Sequence, residues 1–177
     1  MNTDSELYSL AERAGMRLHA AGRRLATAES CTAGWIAKAL TDVPGSSQWF
    51  ECGYVAYSDA AKMRDLKVAR RTLEEFGAVS EETAREMALG ALRVPGVSVA
   101  VSVTGIAGPD GGTAGKPVGT VWFCAAARRE RSTEIIAERQ HFAGDRSTVR
   151  SRSVHHALAL LLRLALPPRA AAPPHTG

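Results

Sequence analysis

Ser30 is a residue of this chain whose type and position could support covalent chemistry. It lies in the run AESCTAG (28–34), after the short apolar run Leu25–Ala28 and before a run with helical apolar spacing that contains Trp35 and Leu40. This order predicts a strand, a tight turn at Ser30 and then a helix. A serine at such a place is either a helix N-cap or a nucleophile whose oxyanion is bound by the free N–H groups of the helix start. The local sequence leaves both roles open.

Lys62 is a candidate base, because it is one of four lysines in a chain whose other basic residues are arginines. A lysine that is removed from water can accept a proton, whereas an arginine cannot. The alternative is an ordinary surface charge on a short helix. Tyr57 precedes it at the predicted end of a strand, and is either a packing residue or part of the same site.

Two further segments could bind an anion. The run TGIAGPDGG (104–112) is rich in glycine and resembles a phosphate-binding nest, although it fits neither common nucleotide motif and a plain connector is the alternative. Arg146 follows Gly144 and Asp145 at a predicted helix start, where the helix dipole favours an anion. A surface arginine is the alternative reading there.

Strands that alternate with helices must position these residues. We predict strands over 24–28, 53–57, 97–103, 118–126 and 133–142, with helices over 4–21, 30–41, 58–66, 71–76, 80–94 and 144–166. The pattern indicates a layered α/β/α domain with a mixed, mainly parallel sheet that ends in an antiparallel hairpin. Ligands of such sheets bind beyond the carboxyl ends of the strands, where the candidate residues lie. We expect one domain over 1–166 and a disordered Pro/Ala-rich tail over 167–177.

The composition narrows the function classes. The 177 residues are 45% hydrophobic and 23% charged, and contain neither an apolar run long enough to span a membrane nor a signal-peptide pattern at the acidic N-terminus. Three widely spaced cysteines predict neither a disulfide framework nor a zinc site, and favour a cytoplasmic location. The net charge of +4 is concentrated after Arg128, but no nucleic-acid motif accompanies it. We therefore favour a solvated helix face with an anion pocket over nucleic-acid binding.

Several motifs occur together and in one order. They are TAESCTAG (27–34), PGSS (44–47), GYVAYSDAAK (53–62), GAVS (77–80), TGIAGPDGG (104–112) and KPVGTV (116–121). In this combination the chain resembles the CinA C-terminal domain family, the nicotinamide-nucleotide amidases, from about residue 5 to 165. The resemblance implies hydrolysis of nicotinamide mononucleotide (NMN) to nicotinate mononucleotide and ammonia, with no metal or other cofactor, as part of pyridine nucleotide salvage.

The resemblance also assigns roles by position. It implies that Ser30 is the nucleophile, that Lys62 is its base, and that Tyr57 and Thr104 complete the polar network. The substrate-binding residues that it implies are Glu29, Thr32, Gly105, Gly108 and Arg146. It implies a homo-oligomer, for which the apolar stretch Leu158–Leu166 would provide a face. The resemblance does not extend to the molybdopterin-binding-like domain that the longer members of the family carry before this one.

Two positions depart from the usual family pattern. Ala33 stands where a glycine is usual, which we expect to narrow the pocket, and Asp59 stands where an asparagine is usual, which we expect to raise the pKa of Lys62. Two other functions remain open at this point. One is a non-catalytic module that binds a mononucleotide; the other is a competence or DNA-damage-associated factor, which the basic C-terminal third suggests.

Overall fold

The computed structural model describes residues 4–164, which form a five-stranded sheet covered by helices on both faces. The elements in chain order are α1 (Asp4–Ala20), β1 (Leu25–Glu29), α2 (Trp35–Thr41), β2 (Phe50–Val55), α3 (Asp59–Leu66), α4 (Arg70–Phe76), α5 (Glu81–Ala91), β3 (Val99–Gly105), β4 (Thr120–Arg128), β5 (Thr133–His141) and α6 (Arg146–Arg163). This order of strands and helices confirms the predicted α/β class.

The sheet is mixed, with the strand order β2-β1-β3-β4-β5. Strand β1 lies between β2 and β3 and pairs in parallel with both. Strand β4 runs antiparallel to β3, and β5 antiparallel to β4, so that four of the five strands point in one direction. The predicted C-terminal hairpin is therefore present. The carboxyl ends of β1, β2 and β3 share one edge of the sheet.

Two apolar clusters fill the space on either side of the sheet, which explains the layered arrangement. One cluster joins the buried residues of α1, α2 and α6 to alternate strand residues such as Leu25, Val101 and Phe123. The other joins α3 and α5 to the intervening strand residues, which include Ala26, Ala100 and Cys124. The alternation follows from the two-residue period of a strand, and it confirms the predicted α/β/α layers.

Some predicted boundaries were wrong at the points nearest the candidate site. Helix α2 begins at Trp35, five residues after the predicted start, because residues 31–34 form a turn. Strand β2 begins three residues earlier than predicted, at Phe50. Strand β3 extends through Thr104 and Gly105, two residues beyond its predicted end at residue 103.

Helix α6 ends at Arg163, and its leucines face inward. Leu158, Leu160, Leu161 and Leu164 are all buried in the core of the single chain. The prediction that the apolar stretch Leu158–Leu166 provides a face for a homo-oligomer is therefore wrong for residues 158–164. The homo-oligomer itself stays a prediction. The predicted tail over 167–177 lies outside the described residues. Among those residues, no helix is both long and apolar enough to cross a membrane.

Candidate active site

Ser30 lies where β1 ends and the following turn begins. Its backbone N–H donates to the carbonyl of Val103 at 3.0 Å, which continues the parallel pairing of β1 with β3 by one residue. Its side chain does not cap a helix, since the residue before α2 is Gly34. Instead the Ser30 hydroxyl contacts the Lys62 amine, and the residue is only 7% exposed. The geometry thus removes the capping alternative for Ser30.

Glu29 performs the capping that the sequence suggested for Ser30. Its carboxylate is fully buried and accepts the backbone N–H groups of Gly34, Ile36 and Ala37 at 2.8–3.1 Å, together with the Thr32 hydroxyl at 2.7 Å. A carboxylate at a helix N-terminus also interacts favourably with the helix dipole. These amides are therefore not available to a substrate, contrary to our expectation that the helix start would offer them.

Lys62 is held in the interior by its helix. Ser58 caps α3 by accepting the N–H of Ala61, and the buried Leu66 packs the helix against the apolar cluster on that face. The Lys62 side chain is 1% exposed, and its Nζ donates to Ser30 Oγ at 3.2 Å and to the carbonyl of Tyr57 at 2.9 Å. The hydroxyl and the amine, 32 residues apart in sequence, are thus in direct contact away from solvent.

Burial lowers the pKa of the Lys62 amine below its ordinary value, since the charged form loses its hydration. Asp59, with its carboxylate 4.0 Å from Nζ, raises this pKa. The expected influence of Asp59 is therefore present, but burial outweighs it. The net effect favours a neutral amine, the form that can accept a proton.

Cys31 is a second side chain with nucleophilic chemistry at this site. It follows Ser30 directly and is 4% exposed. Burial raises the pKa of its thiol to about 12, so the thiol stays protonated at neutral pH. Because the thiolate is the reactive form, the environment favours Ser30 and not Cys31 as the nucleophile.

Tyr57 and Arg146 lie together at the mouth of the site. The Tyr57 carbonyl accepts a hydrogen bond from Lys62, and the phenol oxygen of this residue, which is 58% exposed, accepts one from Arg146 at 3.3 Å. Arg146, the first residue of α6, also donates to the carbonyl of Gly108 at 2.9 Å. The Arg146 guanidinium therefore presents further N–H groups at the N-terminus of α6, where an anionic ligand is favoured.

Thr104 and Gly105 form the wall at the end of β3. The buried Thr104 hydroxyl donates to the carbonyl of Ala78 at 2.7 Å and so fixes the segment between α4 and α5 over the site. At Gly105 a side chain would collide with Val121, since a Cβ would lie 2.7 Å from its side chain. Thr104 therefore shapes the site through its hydrogen bond to Ala78 and makes no hydrogen bond to Ser30.

These side chains surround one cavity of about 220 Å³ at the carboxyl edge of the sheet. Of the nine site residues predicted from sequence, six line it: Ser30, Tyr57, Lys62, Thr104, Gly105 and Arg146. Glu29 and Thr32 do not line the cavity but are hydrogen-bonded to each other within the turn that follows Ser30. The Gly108 carbonyl accepts a hydrogen bond from Arg146. The cavity is also lined by residues that the predicted set omitted, namely Cys31, Ser58, Asp59, Ala78, Val79 and Ala107.

Arg150 supports the turn from outside and was missed by the sequence reasoning. Its guanidinium donates to the carbonyls of Cys31 and Thr32 at 3.1 and 3.0 Å and lies over the Trp35 ring, 5.5 Å from the ring centre. It stands one helical turn after Arg146 on α6, and this spacing of four residues places both on one face. That spacing was the signal available in the sequence.

Ala33 lies in the same turn with a φ of 50°, in the left-handed region that favours glycine. It is exposed and does not line the cavity that contains Ser30. The expectation that its methyl group narrows this cavity is therefore wrong. The departure at position 33 strains the backbone of the turn instead.

The arrangement can carry out nucleophilic attack assisted by a base. A buried hydroxyl contacts an amine with a lowered pKa, next to a cavity with a cation at its mouth. Among residues 4–164, no group of three or more His, Cys, Asp or Glu side chains is placed to hold a metal ion.

Comparison with known proteins identifies the family of this chain. The chain is 52% identical over 159 residues to nicotinamide-nucleotide amidohydrolase PncC of Escherichia coli (strain K12), which covers 90% of this chain and 94% of that protein. It is 47% identical to the protein of the same name from Pseudomonas putida, over 89% of this chain and 96% of that one. The crystal structure of competence/damage inducible protein CihA from Agrobacterium tumefaciens superposes with a TM-score of 0.84 at 41% identity, over 89% of this chain and 94% of that chain. Residues 7–165 match the CinA C-terminal domain, and the chain belongs to this family.

Proposed function

We propose that this protein is a nicotinamide-nucleotide amidase that hydrolyses NMN to nicotinate mononucleotide and ammonia through a Ser30–Lys62 pair. Two relatives at 47–52% identity over most of the chain are named for this amidohydrolase activity. The observation that carries the mechanism is the 3.2 Å contact between Lys62 Nζ and Ser30 Oγ inside a cavity. Both side chains are nearly inaccessible to water.

The reaction begins with proton transfer from the Ser30 hydroxyl to the neutral Lys62 amine. The serine oxygen attacks the carboxamide carbon of NMN, and the resulting Lys62 ammonium returns the proton to the amide nitrogen, which leaves as ammonia. An ester between Ser30 and the nicotinoyl group remains. Lys62 then takes a proton from water, whose oxygen attacks the ester carbon. The bond from this carbon to the Ser30 oxygen breaks, Lys62 returns the proton to that oxygen, and nicotinate mononucleotide is released.

The tetrahedral intermediate carries a negative charge that needs fixed donors. The amides of Gly34, Ile36 and Ala37 are occupied by Glu29, which leaves the backbone N–H groups of Cys31 and Thr32 as the nearest ones after Ser30. We assign the oxyanion to these two amides. Arg150 binds the carbonyl of Cys31, which belongs to the same planar peptide group as the Thr32 N–H, and so fixes the orientation of that amide.

The mononucleotide phosphate would bind Arg146. A cavity of about 220 Å³ is smaller than a typical site for a whole ligand of this size, which is roughly 300–1,000 Å³. The nicotinamide ring therefore occupies the cavity, and the ribose and phosphate extend past Tyr57 to the exposed guanidinium of Arg146. Binding energy from this remote phosphate holds the amide against Ser30.

The decisive experiment measures ammonia release from NMN by wild-type protein and by Ser30→Ala. We expect the variant to lose activity by a factor of at least about 1,000 while its unfolding curve stays unchanged, since only one buried oxygen is removed. Ser47→Ala, at an exposed serine, is the matched control and should keep full activity. Activity in Ser30→Ala close to that of the wild type would refute the nucleophile.

Lys62→Met tests the base separately, because methionine has a similar length but no amine. It should abolish turnover while NMN still binds. If NMN binds to the wild-type protein and no ammonia appears, the chain is a binding module and not an amidase.

The cellular setting is part of the same proposal. We place the protein in the cytoplasm, since Cys31, Cys52 and Cys124 are all free thiols. We also keep the homo-oligomer as a proposal, which light scattering of the purified chain would test.

A further inference from the structure

A second and larger cavity lies at the opposite edge of the sheet. Its volume is about 500 Å³, and its wall is formed where the loops before β1 and β3 meet the last residue of β4. Arg23 and Arg24 immediately precede β1, whereas Ser30 immediately follows it. The five residues of this strand separate the two cavities by roughly 16 Å at about 3.3 Å per residue. A ligand bound here is thus outside the proposed active site.

Four arginines from distant parts of the sequence line this cavity: Arg23, Arg24, Arg93 and Arg128. No aspartate or glutamate is among the lining residues. Arg24 pairs with Glu51 at 2.5 Å, but the other three have no carboxylate within 4.0 Å anywhere in residues 4–164. Like charges gathered around a concave surface repel one another, and an anion would relieve this repulsion.

Hydrogen bonds to the backbone fix part of this wall without using all the donors. Arg23 donates to the carbonyl of Arg128 at 3.3 Å, and Arg128 donates to the carbonyl of Leu92 at 2.5 Å. A guanidinium has five N–H groups, so each retains several that remain unused. Arg93 is exposed on the rim. The wall is therefore preorganised, with unused N–H groups suited to the forked geometry in which arginine binds phosphate.

The size and lining of the cavity indicate the class of ligand. A volume of about 500 Å³ lies in the range of small-molecule sites and is far larger than a single phosphate ion. Val94 and Pro95 provide an apolar part of the wall beside the arginines. We propose that this cavity binds a nucleoside di- or triphosphate, with its phosphates on the arginines and its base against the apolar residues.

The proposal is tested by calorimetric titration of the full chain with ATP as the probe and with inorganic tripolyphosphate in parallel. We expect ATP to bind, and to bind more tightly than tripolyphosphate because only ATP offers a base. Arg93→Gln and Arg23→Gln should each weaken ATP binding at least about tenfold, since each removes a charged phosphate contact. Arg13→Gln, at an exposed arginine of α1, is the matched control and should bind as the wild type does.

Arg146→Ala distinguishes the two cavities. ATP binding that survives Arg93→Gln and Arg23→Gln but disappears in Arg146→Ala would place the nucleotide at the mouth of the proposed active site and overturn the inference. Absence of ATP binding to the wild type at millimolar concentration would also overturn it, as would binding of duplex DNA that the same two variants abolish while ATP does not bind. None of these titrations depends on amidase activity, so this inference and the proposed function can fail independently.

Discussion

The charge of Asp59 should set the pH range in which the protein is active. If Lys62 must be neutral to accept the Ser30 proton, kcat/KM rises with pH through the pKa of Lys62 and reaches a plateau above it. Asp59 favours the charged form of Lys62 and so raises this pKa against the larger effect of burial. Asp59→Asn removes that contribution, and the acidic limb of the profile should therefore move to lower pH.

The size of this movement follows from the geometry. The two charged groups are 4.0 Å apart, a distance at which unit charges interact by about 1 kcal/mol in water and by about 4 kcal/mol near a protein surface. The Asp59 side chain is 57% exposed, so solvent screening makes the lower figure the appropriate one. Since about 1.4 kcal/mol corresponds to one pH unit, the limb should move by about 0.7 of a pH unit.

The assay is ammonia release from NMN under kcat/KM conditions at closely spaced pH values and constant ionic strength. Asp65→Asn is the matched control: it lies three residues after Lys62 on the same helix, as Asp59 lies three before it, but it pairs with Arg64 and does not act on the pKa of Lys62. A limb that stays in place in Asp59→Asn, or moves equally in both variants, would refute the role of Lys62 as the titrating base.

Three further predictions concern the turn that follows Ser30. Ala33→Gly should raise the free energy of unfolding by about 0.5–1 kcal/mol and the Tm by about 2 °C in a thermal melt, because a left-handed alanine costs more than the added freedom of glycine. Glu29→Gln should lower the free energy of unfolding by about 2–3 kcal/mol in urea, because an amide cannot accept all four of the buried hydrogen bonds. Arg150→Gln should reduce kcat at least about tenfold with little change in KM for NMN, since Arg150 orients the turn; a rise in KM alone would instead indicate direct contact with substrate.

The sequence was sufficient to predict where the site would form. Alternation of strands and helices placed the loops after β1, β2 and β3 at one edge of the sheet, and a parallel arrangement brings such loops together whatever their separation along the chain. Ser30, Lys62 and Thr104 each follow or end one of these strands. Their convergence on one cavity was therefore a consequence of topology that local patterns could reveal.

The internal support of the site could not be predicted in the same way. Capping patterns relate a residue to amides two or three positions later, whereas Glu29 binds amides five, seven and eight positions later around a turn. The capping role of Glu29 was therefore not predicted, and the resemblance instead implies a substrate-binding role for a carboxylate that is fully buried. The arginine-lined cavity could not be predicted for a related reason, since its residues come from three separate segments and only their spatial arrangement makes them a cluster.

The position of Glu29 explains how Ser30 can be a nucleophile at a helix start. A serine that caps a helix accepts backbone N–H bonds, which occupy the lone pairs that must attack a substrate. Here the neighbouring carboxylate binds those amides, and the Ser30 hydroxyl is left to contact Lys62. On the opposite side of the turn, Arg150 binds the carbonyls of Cys31 and Thr32. An anion and a cation thus hold the turn through its backbone, so that its rigidity does not depend on the side chain that we propose as the nucleophile.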